Sequence, residues 1–526
     1  MLTSGARLQA GRSVLKATAE GWSVLFVSEA ALPFDTPCYT TFQDGETVQG
    51  LLSRERIGLE RNGGPYGGLP ARARWLLAQR VGRALSEAGD VADTTERVVR
   101  FAVPVGPVAP LRWLREQSLQ PKLYWSGRGD TSGVAAVGVA DLLEADASEG
   151  AGSLRERLAP LLSAGAARYY GGLRFDPLRE TDPRWAPFGA YRFVLPRFEL
   201  LAGEEEATLV CNLVLPRDAR RRAEILREVE RLSFPRAAPR DTLPEPVSRW
   251  DHPDREGWRR NVERALSAFS EGRLDKVVLA RRAELRFARE VDAALLAERL
   301  EEATPGCFHF YVEPEAGVAF VGATPERLFR REGRLIESEA VAGTRPRGAS
   351  EADDAELLDD LLRSEKDKAE HDHVRVGIGE ALGPLCDELE LEGGVSEMKT
   401  TSRRHLVSRV RGVLREGVTD AEVLLALNPT PAVGGYPREG ALEEIRATEP
   451  FDRGWYAGAV GWIGADEAEF AVGIRSGLVH GDSLDLFSGA GIVEGSVPEA
   501  EWAEIEQKIG DFTGMFGFDP ARHAAR

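Results

Sequence analysis

Lysine is almost missing from this chain: only seven of its 67 basic residues are lysine, and the rest are arginine. The seven are Lys16, Lys122, Lys276, Lys366, Lys368, Lys399 and Lys508. Where arginine serves for nearly every positive charge, a retained lysine draws attention. A partly desolvated ammonium can release a proton, whereas a guanidinium keeps it. Lys276 lies in the run Asp275-Lys276-Val277-Val278-Leu279-Ala280-Arg281-Arg282, with arginine used freely beside it. It is a candidate general base, although an ordinary cation on a strand face remains open as the alternative.

Cysteine is scarce too. Cys38, Cys211, Cys307 and Cys386 lie far apart with no CxxC pair, which argues against both a disulfide framework and a cysteine zinc site. No apolar run approaches the ~20 residues that a membrane helix needs. The first 34 residues are broken by Arg7, Arg12, Lys16 and Glu20, so no uninterrupted signal-peptide core is expected, and the cytoplasm is the expected compartment. Positive charge is in deficit. The net charge of -18 disfavours nucleic acid and anionic membranes as partners, because the long-range field repels phosphates. An anionic substrate would therefore require a local cluster of cations or a metal.

Five prolines between Phe234 and Asp254, without periodicity, mark the one convincing linker and divide the chain into residues 1–245 and 246–526. The first half alternates strand-like runs, such as Tyr191–Leu195 and Thr208–Val214, with helical segments such as Asp218–Leu232. In the second half, Trp258, Val262, Leu266 and Phe269 recur at helical spacing and predict a helix over 255–271. Lys276–Phe287 reads as a strand, and Phe308–Val312 with Gly317–Gly322 as a hairpin leading into Ala323-Thr324-Pro325-Glu326. Another hairpin turns at Glu332-Gly333. One or two long helices are expected over 352–383, three antiparallel strands over 454–463, 468–475 and 483–490, and a closing helix from Pro498 to Phe516. Mixed sheets with helices on their faces imply an α+β fold.

Polar residues stand out by position. In the closing helix Glu501, Glu504 and Lys508 are spaced i, i+3 and i+7, so they share one stripe, and Asp367 with Glu370 makes a second acidic i, i+3 pair. Facing carboxylates on two helices suit a hard cation such as Mg2+; a solvated helix face is the alternative. His371 and His373, at i and i+2, point in different directions on a helix and do not suit a shared zinc. Glu326 follows a Gly-Ala-Thr-Pro turn, where side chains reach into clefts. The glycines of Ser488-Gly489-Ala490-Gly491 would let backbone N–H groups approach an anion, or simply make a turn.

Taken in order, these pieces resemble the chorismate-utilising enzyme family. The matching blocks are Lys276-Val-Val-Leu-Ala-Arg, Gly322-Ala-Thr-Pro-Glu326, Ala342-Gly-Thr344-Arg, Ser364-Glu-Lys-Asp-Lys-Ala-Glu370-His, Pro429-Thr-Pro-Ala432, Trp455-Tyr-Ala-Gly, Gly473-Ile-Arg475, Gly489-Ala-Gly491-Ile and Glu501-Trp-Ala-Glu504-Ile-Glu-Gln-Lys508. Leu123-Tyr-Trp-Ser-Gly-Arg-Gly and Tyr170-Gly-Gly-Leu-Arg-Phe-Asp-Pro extend the likeness into the first half. Within the family the chain is most similar to isochorismate synthases. The resemblance implies an anthranilate-synthase-like fold: one large unit of two orthogonally packed antiparallel sheets flanked by helices, with strands from both halves. The proline-rich linker would then be a surface connection. The implied reaction adds water to C2 of chorismate while the C4 hydroxyl leaves, for menaquinone or siderophore formation.

That chemistry needs a base, an acid and charge neutralisation for a dicarboxylate. By resemblance, Lys276 is the base and Glu326 the acid. Glu370 and Glu504 bind Mg2+, with Asp367 and Glu501 in support. Tyr456 and Arg475 contact the enolpyruvyl carboxylate, Gly491 and Lys508 the ring carboxylate, and Thr344, His405 and Gly489 line the pocket. Amination branches are disfavoured: anthranilate synthases lack the basic lysine and need a glutaminase partner, and aminodeoxychorismate synthases carry a lysine where this chain has Ala342. A monomer or homodimer without a glutaminase subunit is expected. Salicylate synthase shares the base and acid but tends to have a hydroxyl residue at the position of Ala432. A non-catalytic scaffold would be expected to have lost one of Lys276, Glu326, Glu370 or Glu504. One departure is Asn428, where the family commonly has histidine.

If Lys276 is the base, Lys276→Arg keeps the charge but cannot accept a proton, and turnover should fall about a hundredfold or more. Steady-state kinetics within about tenfold of the parent would remove Lys276 from that role.

Overall fold

The computed structural model describes residues 9–10, 13–18, 21–26, 69–89, 95–129, 133–145, 154, 167–203, 205–235, 242–400 and 403–516. Cys38 and the linker residues 236–241 lie outside them. The chain divides into residues 1–61 and 62–526. The first unit contains the antiparallel strands Gln9–Ala10, Ser13–Thr18 and Gly21–Phe26.

Among the described residues of the second unit the strands pair antiparallel in one continuous 20-stranded network, which divides at one long strand into a first and a second sheet. The first sheet runs from Pro246–His252 through Lys276–Phe287, Ser483–Ile492, Ser476–His480 and Val318–Thr324. It continues through Phe308–Glu315, Lys122–Ser126 and Gly133–Ala145 to Tyr191–Leu201. From the beginning of Tyr191–Leu201 the second sheet leads through Tyr169–Leu173, Ala459–Ile463 and Glu467–Val472. It continues through Arg327–Glu332, Leu335–Pro346 and Arg403–Leu414, on the last of which Cys386–Leu391 and Ser396–Lys399 both pair. Both halves of the chain thus contribute strands to both sheets. The expected linker ends earlier than composition implied, because Pro246–His252 is itself an edge strand on Lys276–Phe287.

Strand ends follow backbone conformation. The stretch read as a strand from 454 begins only at Ala459, because Gly454 and Ala457 take φ of 55° and 60° and turn the chain. A Cβ on Gly454 would lie 2.0 Å from the Trp185 ring, so only glycine fits there. The next strand stops at Val472, and Arg475, at φ 50°, redirects the chain into Ser476–His480, a strand that periodicity did not reveal. Trp185, Phe188, Phe320 and Trp455 pack edge to face beneath these turns, with ring centroids 5.2–5.3 Å apart, a geometry favoured by the ring quadrupoles.

Helices cover the sheets. Arg255–Ser270 is capped by Asp254, whose carboxylate accepts from Gly257 N at 2.8 Å, and it buries Trp258, Val262, Ala265 and Ala268. The helical stretch after Ser350 is two helices, Glu351–Arg363 and Glu365–Leu382. Ser364 separates them: its extended backbone ends the first, and its hydroxyl accepts from Asp367 N at 3.2 Å to cap the second. Among the described residues no helix is long and apolar enough to cross a membrane.

Among the described ion pairs, Arg197–Asp218 has both side chains at 0% exposure. Arg197 donates to both carboxylate oxygens of Asp218, at 2.6 and 3.1 Å, and Asp218 also accepts from Val214 N at 2.7 Å. Removing Asp218 leaves Arg197 only the more distant Glu228 carboxylate, at 3.7 Å. Asp218→Ala should therefore cost about 3–5 kcal/mol in denaturant unfolding; a loss below about 1 kcal/mol would mean that the pair is dispensable.

Candidate active site

A cavity of about 270 Å³ opens between the helix Glu365–Leu382, the C-terminal helix Pro498–Thr513 and the ends of strands from both sheets. Twelve of the thirteen residues singled out from the sequence line it; Lys276 does not. The i, i+3, i+7 stripe of the C-terminal helix faces inward, and so does the Asp367/Glu370 pair. Spacing alone had left a solvated face open.

Lys276 sits one layer behind. Its strand neighbour two residues on, Val278, lines the cavity, and alternate strand residues share a face. The Lys276 side chain is fully buried, with Nζ 3.0 Å from Glu370 Oε1. The contact is ionic in distance but lacks hydrogen-bond geometry. Gly491 makes it possible. It pairs with Val278 across the sheet, and a Cβ there would fall 2.3 Å from Glu370 Oε1 and 3.3 Å from Lys276 Cε. The glycine therefore clears space for a carboxylate side chain. Gly489 supplies a carbonyl that accepts from Lys508 Nζ at 2.9 Å.

Each of the other three carboxylates singled out on the two helices also has a cation. Lys508 binds Glu504 at 2.8 Å, Lys366 binds Glu501 at 2.9 Å, and Arg345 binds Asp367 at 2.9 Å. The Lys508 charge draws the Glu504 carboxyl below its ordinary range, against the opposing effect of burial. Sequence reasoning assigned no role to Lys366 or Arg345, although Lys366 was among the few retained lysines. Among the described residues no three acidic, histidine or cysteine side chains converge as a metal cluster. The site does offer hard-oxygen donors, Glu370 and Glu504 among them, each of these two now facing a lysine. That set suits Mg2+, which characteristically takes one or two protein carboxylates and leaves its other positions to substrate and water.

Glu326 differs from these carboxylates. Burial pushes it up to about 8; Lys276 opposes the rise, the Glu339 carboxylate adds to it, and Lys508 again opposes. It is therefore a carboxylic acid at neutral pH and can donate a proton. His405 is held neutral. Its Nδ1 lies 2.9 Å from Thr344 Oγ1, its cross-strand partner, and burial together with Arg475, Lys508 and Arg403 lowers it to about 3. Tyr456 stacks on Phe487 at 5.1 Å, and burial raises its hydroxyl well above the ordinary range. Arg475 reaches the cavity from its left-handed backbone, a conformation that costs a non-glycine residue about 1–2 kcal/mol.

Other residues are structural. Asn428 does not line the cavity; its Nδ2 donates to Arg174 O at 3.0 Å, a neutral task that needs no ionisable group. His371 Nε2 lies 3.2 Å from Ala340 O, while His373 stacks on Tyr436, so the two rings do diverge.

The family model for the chorismate binding enzyme matches residues 83–517. The chain belongs to that family. It is 34% identical over 456 residues to "Isochorismate synthase 2, chloroplastic" of Arabidopsis thaliana, covering 79% of this chain and 80% of the relative. Among solved structures it resembles the menaquinone-specific isochorismate synthase MenF of Escherichia coli, at 28% identity and a TM-score of 0.72, over 84% of this chain and 99% of that one. Component I of anthranilate synthase from Streptococcus pneumoniae shares the fold, at 20% identity and a TM-score of 0.55, over 80% and 93% of the two chains.

Difference infrared spectroscopy tests the acid. Glu326→Gln should remove a protonated-carboxyl band present at pH 7, and in the parent that band should fade as pH rises through about 8. No carboxyl difference at pH 7 would show that Glu326 is ionised there.

Proposed function

We propose that the protein is an isochorismate synthase, converting chorismate to isochorismate by adding water at C2 with loss of the C4 hydroxyl. The observation that carries this is a buried carboxyl, Glu326, in a cavity backed by the buried Lys276 and lined by paired cations. Water loses a proton as its oxygen bonds to C2. Both conjugated ring double bonds shift by one position, the C4–O bond breaks, and the leaving hydroxyl takes a proton from Glu326. Water enters and water leaves, so the change is an isomerisation. Lys276 serves as the base. Because Nζ is buried behind Glu370, it reaches water only when that carboxylate has turned from it.

The substrate dianion is held by cations the cavity already presents. Lys508 and the Gly491 backbone lie toward the ring carboxylate, while Arg475 and Tyr456 lie toward the enolpyruvyl carboxylate. Thr344, His405 and Gly489 shape the wall. Glu370 and Glu504 would hold Mg2+, with Asp367 and Glu501 in support, and the ion would neutralise the ring carboxylate. Ala342 offers no amine for a covalent intermediate and Ala432 no hydroxyl beside the ring, which favours water as nucleophile and isochorismate as final product. No glutaminase subunit is then needed. We place the chain in the cytoplasm as a monomer or homodimer. The likeness to a menaquinone-specific enzyme favours menaquinone over a siderophore as the product's destination.

Incubation with chorismate and Mg2+ followed by chromatography should give isochorismate. Salicylate would place the chain on the eliminating branch, and unchanged chorismate would make it a binding protein. Glu504→Gln should require a much higher Mg2+ concentration for half-maximal rate, since it removes a charged hard ligand while keeping shape; a titration overlaying the parent's would remove Glu504 from the metal.

A further inference from the structure

The Leu123–Gly129 segment of the first half has no role in the reaction as described, yet the register brings it to the acid. Strand Lys122–Ser126 sets Ser126 opposite His309, and His309 is opposite Ala323 on the strand leading to Glu326. Ser126 and Ala323 therefore stand level across three strands. Two residues further on, Arg128 stands level with Pro325. Its Nη1 donates to Pro325 O at 2.7 Å and to Glu339 Oε2 at 2.8 Å, and its Nη2 to Glu339 Oε1 at 2.5 Å.

Glu339 holds the other side of the acid as well. It accepts from Arg327 Nη1 at 2.9 Å, and Arg327 Nη2 donates onward to Glu469 at 3.2 Å. The residues before and after Glu326 are thus tied to one buried carboxylate. Both guanidinium groups lie over the Phe308 ring, 5.4 and 5.6 Å from its centroid. Arg128 and Glu339 do not line the cavity.

We infer that Arg128, bridged by Glu339 to Arg327, is a positioning residue that fixes the Pro325–Arg327 segment and thereby aims the Glu326 carboxyl. The inference rests on Glu326 being the general acid. Arginine suits the task because its planar fork spans two carboxylate oxygens and a carbonyl together, whereas an ammonium is a point donor.

Arg128→Lys, Arg128→Ala and Glu326→Gln are compared with the parent on chorismate, with thermal melting as a control for folding. Glu326→Gln should lose about a hundredfold or more in kcat. Both Arg128 variants should lose about ten- to a hundredfold in kcat with KM within about threefold, because misplacing a reacting group slows chemistry without weakening binding. Added guanidinium ion should restore part of kcat in Arg128→Ala. If Arg128→Ala does not fold, Arg128→Lys carries the comparison. Parental kcat in the folded Arg128 variants beside an inactive Glu326→Gln would overturn the positioning role alone. A raised KM at parental kcat would also overturn it, assigning Arg128 to binding. An active Glu326→Gln would sink the acid assignment and the positioning role with it.

Discussion

Everything in this site depends on gathering many charges of both signs, several of them buried, around one cavity of an acidic protein. An isolated buried ion is expensive, and it is retained only when paired at close range. Here Lys276 meets Glu370, Lys508 meets Glu504, Lys366 meets Glu501 and Arg345 meets Asp367. Glu326 is the exception: without a close ion-pair partner it stays protonated, the cheaper state for a buried carboxyl. A single chemical environment thus separates ionised carboxylates that bind cations from a neutral one that can give a proton. The Lys276–Glu370 pairing also dictates a glycine, since any Cβ at Gly491 would enter the space of the Glu370 carboxylate.

The sheets supply the precision. Lys276 and Val278 share a strand face, Gly491 lies opposite Val278, and Thr344 lies opposite His405, so three parts of the site are placed by register alone. The two helices then bring in the carboxylates, with the Ser364 cap setting where the stripe of Asp367 and Glu370 begins. The first half of the chain contributes strands to both sheets and, through Arg128, a bond to the carbonyl beside the acid.

Much of this was legible in the sequence. Helical stripes survive folding, so Glu501, Glu504 and Lys508 could be grouped from spacing, and the rarity of lysine isolated Lys276. The roles proposed for these residues come from the family motifs and not from spacing. What was hidden depends on backbone conformation and on pairing between distant strands. Arg475 and Ala457 adopt left-handed conformations that arginine and alanine seldom show, so the strand boundaries beside them were misread. Pro246–His252 looked like linker because two prolines bracket it and it is an exposed edge strand. Arg128 gives no local signal, since its partners are about 200 and more residues away. That Glu370 shields Lys276 from the cavity could be seen only once both had been placed.

The central claim is that solvent water, activated beside Lys276, adds to C2 while the C4 hydroxyl departs. Turnover of chorismate in 18O-labelled water, with mass spectrometry of the isolated product, tests it most directly. Label in the C2 hydroxyl of isochorismate is the expected result. An unlabelled C2 oxygen, or an amino product when ammonium is added, would contradict the account.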